Sequence, residues 1–136
     1  GAESVICSRS DGLAFKGFKR LSKKVLILSS EKNVVVTLRA KKLEVECIQG
    51  VSRKEIVLKN YVQKNNIRLN QTFYIGNDIN DLNALTLCGY SACPSDSHPL
   101  VKEKSKILLK SKGGFGVARE ILEEVLKQNL YELVYN

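Results

Sequence analysis

Along this chain, apolar runs alternate with stretches of helical spacing, and the pattern predicts repeating strand and helix units. Val5, Ile6 and Cys7 read as a brief apolar strand, and the polar run Ser8, Arg9, Ser10 and Asp11 can start a helix that carries Ala14, Phe18 and Leu21 on one face. Val25, Leu26, Ile27 and Leu28 are uninterrupted, as in a strand covered on both faces, and end at Ser29 and Ser30. The next segment pulls two ways. Val34, Val35, Val36 and Thr37 are β-branched and favour a strand by local propensity. Against that, Asn33 can cap, Val36, Ala40 and Leu43 share a helical face, and Lys41 and Lys42 suit a helix end, so helix is the expectation.

Residues 45–48 read as the next strand, Gly50 breaks it, and Ser52 is placed to cap a helix in which Val57 with Tyr61, and Leu58 with Val62, pair at four-residue spacing. Phe73, Tyr74 and Ile75 read as a short buried strand bounded by Gly76. Asp78 or Asn80 then opens a helix with Leu82, Leu85 and Leu87. A strand at 90–93, a loop at 94–99 and a last strand at 107–109 follow. Gly113, Gly114 and Gly116 break the chain before a final helix with Ile121, Leu122, Val125 and Leu126 on one stripe, and the tail still holds Leu130, Tyr131, Leu133 and Val134. Units of this length imply one α/β domain over 1–136, a three-layer, Rossmann-like, mostly parallel sheet.

In such a sheet the carboxyl ends of the strands face the crevice where ligands bind, which would gather Asn77, Asp78 and Asp81 at its mouth. Oxygen ligands grouped this way suit a hard cation such as Mg²⁺; the plainer reading is a helix start in which Asn77 or Asp78 caps. Ser29 and Ser30, ending another buried strand, can hold phosphate oxygens at a following helix start, and Lys54, just after the third strand, can add a point charge to the same phosphate. Each has a bland alternative, a serine cap or a surface lysine. Together the set describes a phosphate-and-magnesium site. His98, directly before Pro99, reads as a loop residue.

Composition narrows this picture. The 136 residues are 43% hydrophobic and 26% charged, ordinary values for a domain able to bury a core. Because no apolar run is long enough to span a bilayer and nothing at the start has signal-peptide order, the expected setting is the cytoplasm, away from membranes. Cys7, Cys47, Cys88 and Cys93 have no Cys-x-x-Cys spacing and read as reduced, buried thiols. The net charge of +8 falls into two basic clusters, one at Lys16, Lys19, Arg20, Lys23 and Lys24, the other at Lys102, Lys104, Lys106, Lys110 and Lys112. Both alternate with apolar residues, as on a solvated face, so no nucleic-acid partner is expected.

The order of these pieces resembles the haloacid dehalogenase superfamily of phosphohydrolases. The carrying residues are the serine pair after one strand, the lysine after the next, and Gly76-Asn-Asp-Ile-Asn-Asp81 after the fourth. Within it, Cys7-Ser-Arg-Ser-Asp-Gly-Leu13, Leu28-Ser-Ser-Glu-Lys-Asn-Val-Val35, Gln49-Gly50, Asp96-Ser-His-Pro99 and Gly113-Gly-Phe-Gly-Val-Ala-Arg-Glu120 look like the 3-deoxy-D-manno-octulosonate 8-phosphate phosphatase branch. The Ser-Ser-Glu-Lys-Asn version is similar to the phosphatase-like domain behind the nucleotide-transferring domain of bacterial acylneuraminate cytidylyltransferases.

The resemblance implies Ser29 and Lys54 as the catalytic, phosphoryl-holding residues, with Ser30 beside them, and a Mg²⁺ held from the Asn77, Asp78 and Asp81 stretch. Where the family has its first acidic magnesium ligand this chain has Asn77, so Asp78 or Asp81 must supply the carboxylate. It further implies a sugar-acid phosphate substrate, and a homotetramer in which Arg9, Gly113, Gly114 and Arg119 reach a neighbour's site; Arg119 reads otherwise as a helix-surface arginine. The family's nucleophile, the first Asp of Asp-x-Asp-Gly, is absent from these residues, and Arg9-Ser10-Asp11-Gly12 matches the family's later Arg-Asp-Gly-Leu segment. The expectation is therefore a domain lacking its first strand, part of a longer chain, with two exposed sheet edges unless residues ahead of Gly1 or a partner fill the slot. Two functions follow: an Mg²⁺-dependent phosphatase module, inactive as written, or a non-catalytic oligomerisation domain of an acylneuraminate cytidylyltransferase.

Overall fold

The computed structural model describes residues 2–4 and 12–136. Six parallel strands lie in the order β3-β2-β1-β4-β5-β6: β1 (Ala2–Ser4), β2 (Lys24–Leu28), β3 (Glu46–Ile48), β4 (Phe73–Ile75), β5 (Tyr90–Cys93) and β6 (Ile107–Leu108). The helices are α1 (Gly12–Arg20), α2 (Val34–Lys42), α3 (Lys54–Lys64), α4 (Leu82–Leu87), α5 (Pro99–Lys104), α6 (Val117–Glu120) and α7 (Leu130–Tyr135). The strand predicted at 5–7 and the site residue Arg9 lie outside the described residues.

The slot expected to be open is filled. Ala2–Ser4 pairs in parallel with β2 on one side, Glu3 opposite Val25, and with β4 on the other, Glu3 opposite Phe73. Main-chain groups make these ladders whatever the side chains are, so any extended segment can close the gap. Over those residues neither β2 nor β4 is an edge.

Side chains alternate across the sheet and build two apolar layers. Phe73 and Ile75 point to one face, against Ala14, Phe15 and Phe18 of α1, Val117 and Ala118 of α6, and Leu130 of α7. Tyr74, Leu26 and Leu28 point to the other, against Leu58, Tyr61 and Val62 of α3, Ala84 and Leu85 of α4, and Val101 of α5. That is the three-layer sandwich expected from strands apolar on both faces.

Helix α2 resolves the ambiguous segment as the capping argument required: Asn33 caps, its side chain accepting from Val35 N at 2.9 Å. It is shallowly seated, with Ala40 buried while Val34, Val35 and Leu38 are exposed. Four local expectations need correction. Ser52 does not cap α3; Arg53 stands at that position without a side-chain cap. The loop expected at 94–99 leads directly into α5, where Pro99 opens the helix and His98 caps it, Nδ1 accepting from Leu100 N at 3.1 Å. The final helix is α only to Glu120 and continues as a π turn through Ile121–Val125, which buries Ile121 and Leu122 but leaves Val125 and Leu126 half-buried. Cys88 and Cys93 are buried as expected, but Cys47 is half-buried.

Glu120 ties α6 to the loop after β6. Its carboxylate accepts from Lys110 N and Ser111 N, both at 2.8 Å. Burial pushes this carboxyl up, but hydrogen bonds from Ser111 and from the Lys110 and Ser111 amides, with the Lys110 charge, outweigh it and hold it below the ordinary range. A carboxyl lowered on folding adds stability above its unfolded value, about 4.3, and that stability is lost as pH falls through the folded value. Urea melts from pH 6 down to pH 3 are expected to show a steeper acid loss for the wild type than for Glu120→Gln, and parallel curves would refute this.

Candidate active site

The chain reverses its direction of travel across the sheet between β1 and β4, the place where open α/β sheets bind ligands beyond the strand ends. A cleft of about 340 Å³ lies there, lined by Ser29, Ser30, Glu31, Val35, Arg39, Lys54, Asn77, Asp78 and Asn80 among others. Three loops therefore bring together Ser29 and Ser30 from the end of β2, Lys54 from the first turn of α3, and Asn77 and Asp78 from the end of β4. Asp81 lies beneath this surface, and Arg119 lies elsewhere, on α6.

The serine loop is clamped from β3. Ser29 N donates to Ile48 O and Val51 N to Ser29 O, both at 3.0 Å, and Gly50 N donates to Glu31 O at 3.0 Å. Gln49 adds side-chain bonds to Glu31 O at 3.2 Å and Asn33 O at 2.9 Å, and its own carbonyl takes the Thr37 hydroxyl. Ser29 Oγ accepts from Glu31 N at 3.1 Å, which leaves its proton to donate to a ligand.

Lys54 and Asp81 form a buried ion pair, Nζ to Oδ1 at 2.9 Å. Tyr74 donates its hydroxyl to the same oxygen at 2.6 Å. Asn77 N and Asp78 N donate to Oδ2 at 3.0 and 3.2 Å. A carboxylate has about four acceptor positions, so Asp81 has none left. Burial first, then the Asp81 charge and hydrogen bond, push the Tyr74 phenol far above its ordinary value, and it stays a donor throughout the working pH range.

Asp78 caps the short 3₁₀ turn Ile79–Asp81, Oδ1 accepting from Ile79 N at 2.7 Å in a capping box that also ties its side chain to the Asp81 backbone N–H, and it lines the cleft beside Asn77. His98 braces this loop by donating its backbone N–H to Asn77 O at 2.9 Å. Among the described residues no group of three His, Cys, Asp or Glu side chains converges on a cation-sized point. The Asp78 carboxylate and the Asn77 amide, side by side in the cleft lining, would suit Mg²⁺ of the kind that takes few protein ligands and keeps most of its waters. They do not fit a cation caged by protein.

Arg39 and Tyr74 were not read from the sequence as site residues. Arg39 had a signal: it follows Val35 and Val36 at four- and three-residue spacing, and all three line the cleft from one face of α2. Tyr74 had none, since its contact depends on how the turn after β4 folds back.

A doubly wound sheet with cationic and hydroxyl side chains around a crevice at its topological switch places the chain in the class of doubly wound α/β domains. The chain belongs to the haloacid dehalogenase-like hydrolase family, whose profile matches residues 17–121. It is 29% identical over 118 residues to the 3-deoxy-D-manno-octulosonate 8-phosphate phosphatase of Haemophilus influenzae, covering 86% of this chain and 66% of that protein. The phosphatase of the same name from Moraxella catarrhalis, solved with magnesium, phosphate and its sugar acid, superposes with a TM-score of 0.83 at 26% identity, covering 93% of this chain and 84% of that one. The N-acylneuraminate cytidylyltransferase of Oncorhynchus mykiss is 25% identical over 132 residues, 93% of this chain and 30% of that protein. The chain thus spans 42 to 66% of the length of the first three curated phosphatases it matches.

Proposed function

We propose that the cleft binds the phosphoryl group of a sugar-acid phosphate of the octulosonate or sialic-acid type, with Ser29, Ser30 and Lys54 around the phosphate and with Asn77 and Asp78 as the residues that would hold Mg²⁺ beside it. The observation that carries this reading is the convergence of Ser29, Lys54 and Asp78, from three separate loops, on one cleft at the switch point. Lys54 has two N–H groups beyond the one given to Asp81, and Ser29 has its hydroxyl proton, so both can donate to phosphate oxygens. When bound, the cation would neutralise phosphate charge and polarise the phosphorus–oxygen bonds.

These 136 residues contain no Asp-x-Asp motif, so they hold the phosphate without supplying the carboxylate that would attack it. Titration with inorganic phosphate and with 3-deoxy-D-manno-octulosonate 8-phosphate, followed by ³¹P NMR, is expected to show binding that weakens when EDTA removes the cation, and no phosphate release. Release above a Lys54→Ala control would overturn the inactive reading; no binding at millimolar ligand would overturn the site itself.

A second reading has its own support. The likeness to a cytidylyltransferase covers 93% of this chain but only 30% of that longer protein, and by the resemblance Asn77 stands where the family has its first acidic magnesium ligand. On this reading the fold serves as an assembly domain of such an enzyme, joined into a tetramer with Arg9 and Arg119 near a neighbour's cleft. Sedimentation equilibrium separates the two: tetramer mass without phosphate binding favours assembly, and phosphate binding by a monomer favours the ligand site.

A further inference from the structure

We propose that Tyr74 is a positioning residue for Lys54, acting through the carboxylate oxygen that the two side chains share; this rests on the phosphate-binding reading of the cleft. Tyr74 stands on β4 with its ring in the α3–α4 layer, 1% exposed, while Phe73 and Ile75 point to the other layer. Its hydroxyl reaches Asp81 Oδ1 at 2.6 Å, closer than the Lys54 ammonium at 2.9 Å. On the other oxygen, the Asn77 and Asp78 amides fix the carboxylate's orientation.

The phenol is therefore the donor that decides how much of Oδ1 is left for the lysine. With the phenol present, Asp81 divides one oxygen between a neutral and a charged donor, and Lys54 remains at the cleft wall with N–H groups to give a ligand. Without it, a 2% exposed carboxylate oxygen would have the ammonium as its single side-chain donor. In that low-dielectric pocket the pair tightens, and the ammonium is drawn down from the cleft. The competing explanation is that a buried tyrosine hydroxyl merely needs a partner. That view predicts a change in stability and none in ligand affinity.

Tyr74→Phe keeps the ring and its packing, so the variant is expected to fold. By isothermal titration with inorganic phosphate, its affinity is expected to fall about five- to tenfold, the size of one hydrogen bond's net contribution. The same substitution made in a Lys54→Gln background, where Asp81 keeps an amide donor, is expected to change phosphate affinity less than twofold, because the residue it acts through is gone. Unchanged affinity in the single variant, or the same loss in both backgrounds, overturns the proposal. If the wild-type chain binds no phosphate, the underlying site reading fails as well, and that is seen before any variant is made.

Discussion

Lys54→Ala is expected to weaken phosphate binding about 10- to 100-fold, the size of a lost hydrogen bond from a charged donor, and to lower stability by about 3 kcal/mol, the lower part of the range for breaking a buried ion pair from one side. Asp81 is 2% exposed, and removing the ammonium leaves its charge with the Tyr74 hydroxyl and two backbone amides as donors. Those three bonds are why the loss is placed at the low end. The two consequences have different causes and can be separated. Asp81→Asn in the same chain removes the uncompensated charge, so the double variant should recover about half of the lost stability in urea denaturation. It should recover none of the phosphate binding, because the missing cation is not replaced. A single variant of unchanged stability would mean that the ion pair contributes nothing. A single variant of unchanged phosphate affinity would place the ligand away from Lys54.

Much of the fold could be read from the chain because strands buried on both faces leave an unmistakable mark. The run 25–28 and the trio Phe73, Tyr74 and Ile75 are apolar without alternation, and each ends at residues unsuited to continuing a strand. Helix α2 was the harder test, and local capping outweighed a β-branched run there, since Asn33 meets the first free N–H groups whatever the propensity of the residues behind it. Helix α5 escaped because its six residues, Pro99–Lys104, are too few for a periodic pattern. The π turn escaped because a helical stripe looks the same at the sequence level until packing adds a residue to one turn.

The site divides in the same way. Residues at strand ends, Ser29, Asn77 and Asp78, were legible because topology alone sends strand ends to the crevice. What Asp81 does was not legible. The sequence offered Asp78 and Asp81 as equal sources of a carboxylate, three residues apart. Only the turn's geometry sends Asp81 inward, to a lysine 27 positions earlier and a tyrosine 7 positions earlier, while Asp78 stays at the surface. The chemical difference between the two lies in burial and partners, which no local pattern encodes.

That geometry depends on Gly76, and Gly76→Ala is expected to lower stability by about 2–4 kcal/mol and phosphate affinity at least tenfold. A Cβ at this position would stand 2.5 Å from Asp81 Cβ, 2.7 Å from its Cγ and 3.0 Å from its Oδ2. These contacts are with the root of the side chain, not a flexible tip, and the carboxylate beyond them is pinned by four hydrogen bonds, so Asp81 cannot swing aside without releasing its donors. The turn must open instead. Opening it withdraws Oδ2 from the Asn77 and Asp78 amides and Oδ1 from Lys54, so the clash reaches both the loop offered to the cation and the lysine offered to the phosphate. Gly114→Ala is a useful contrast, because a Cβ there meets nothing within 4 Å and the cost is confined to its φ of +82°. That variant should lose about 1 kcal/mol, as expected for a non-glycine residue in the left-handed region, and keep its phosphate affinity. If Gly76→Ala melts and binds like the wild type, the close approach of β4's end to Asp81 is not the feature that shapes this cleft.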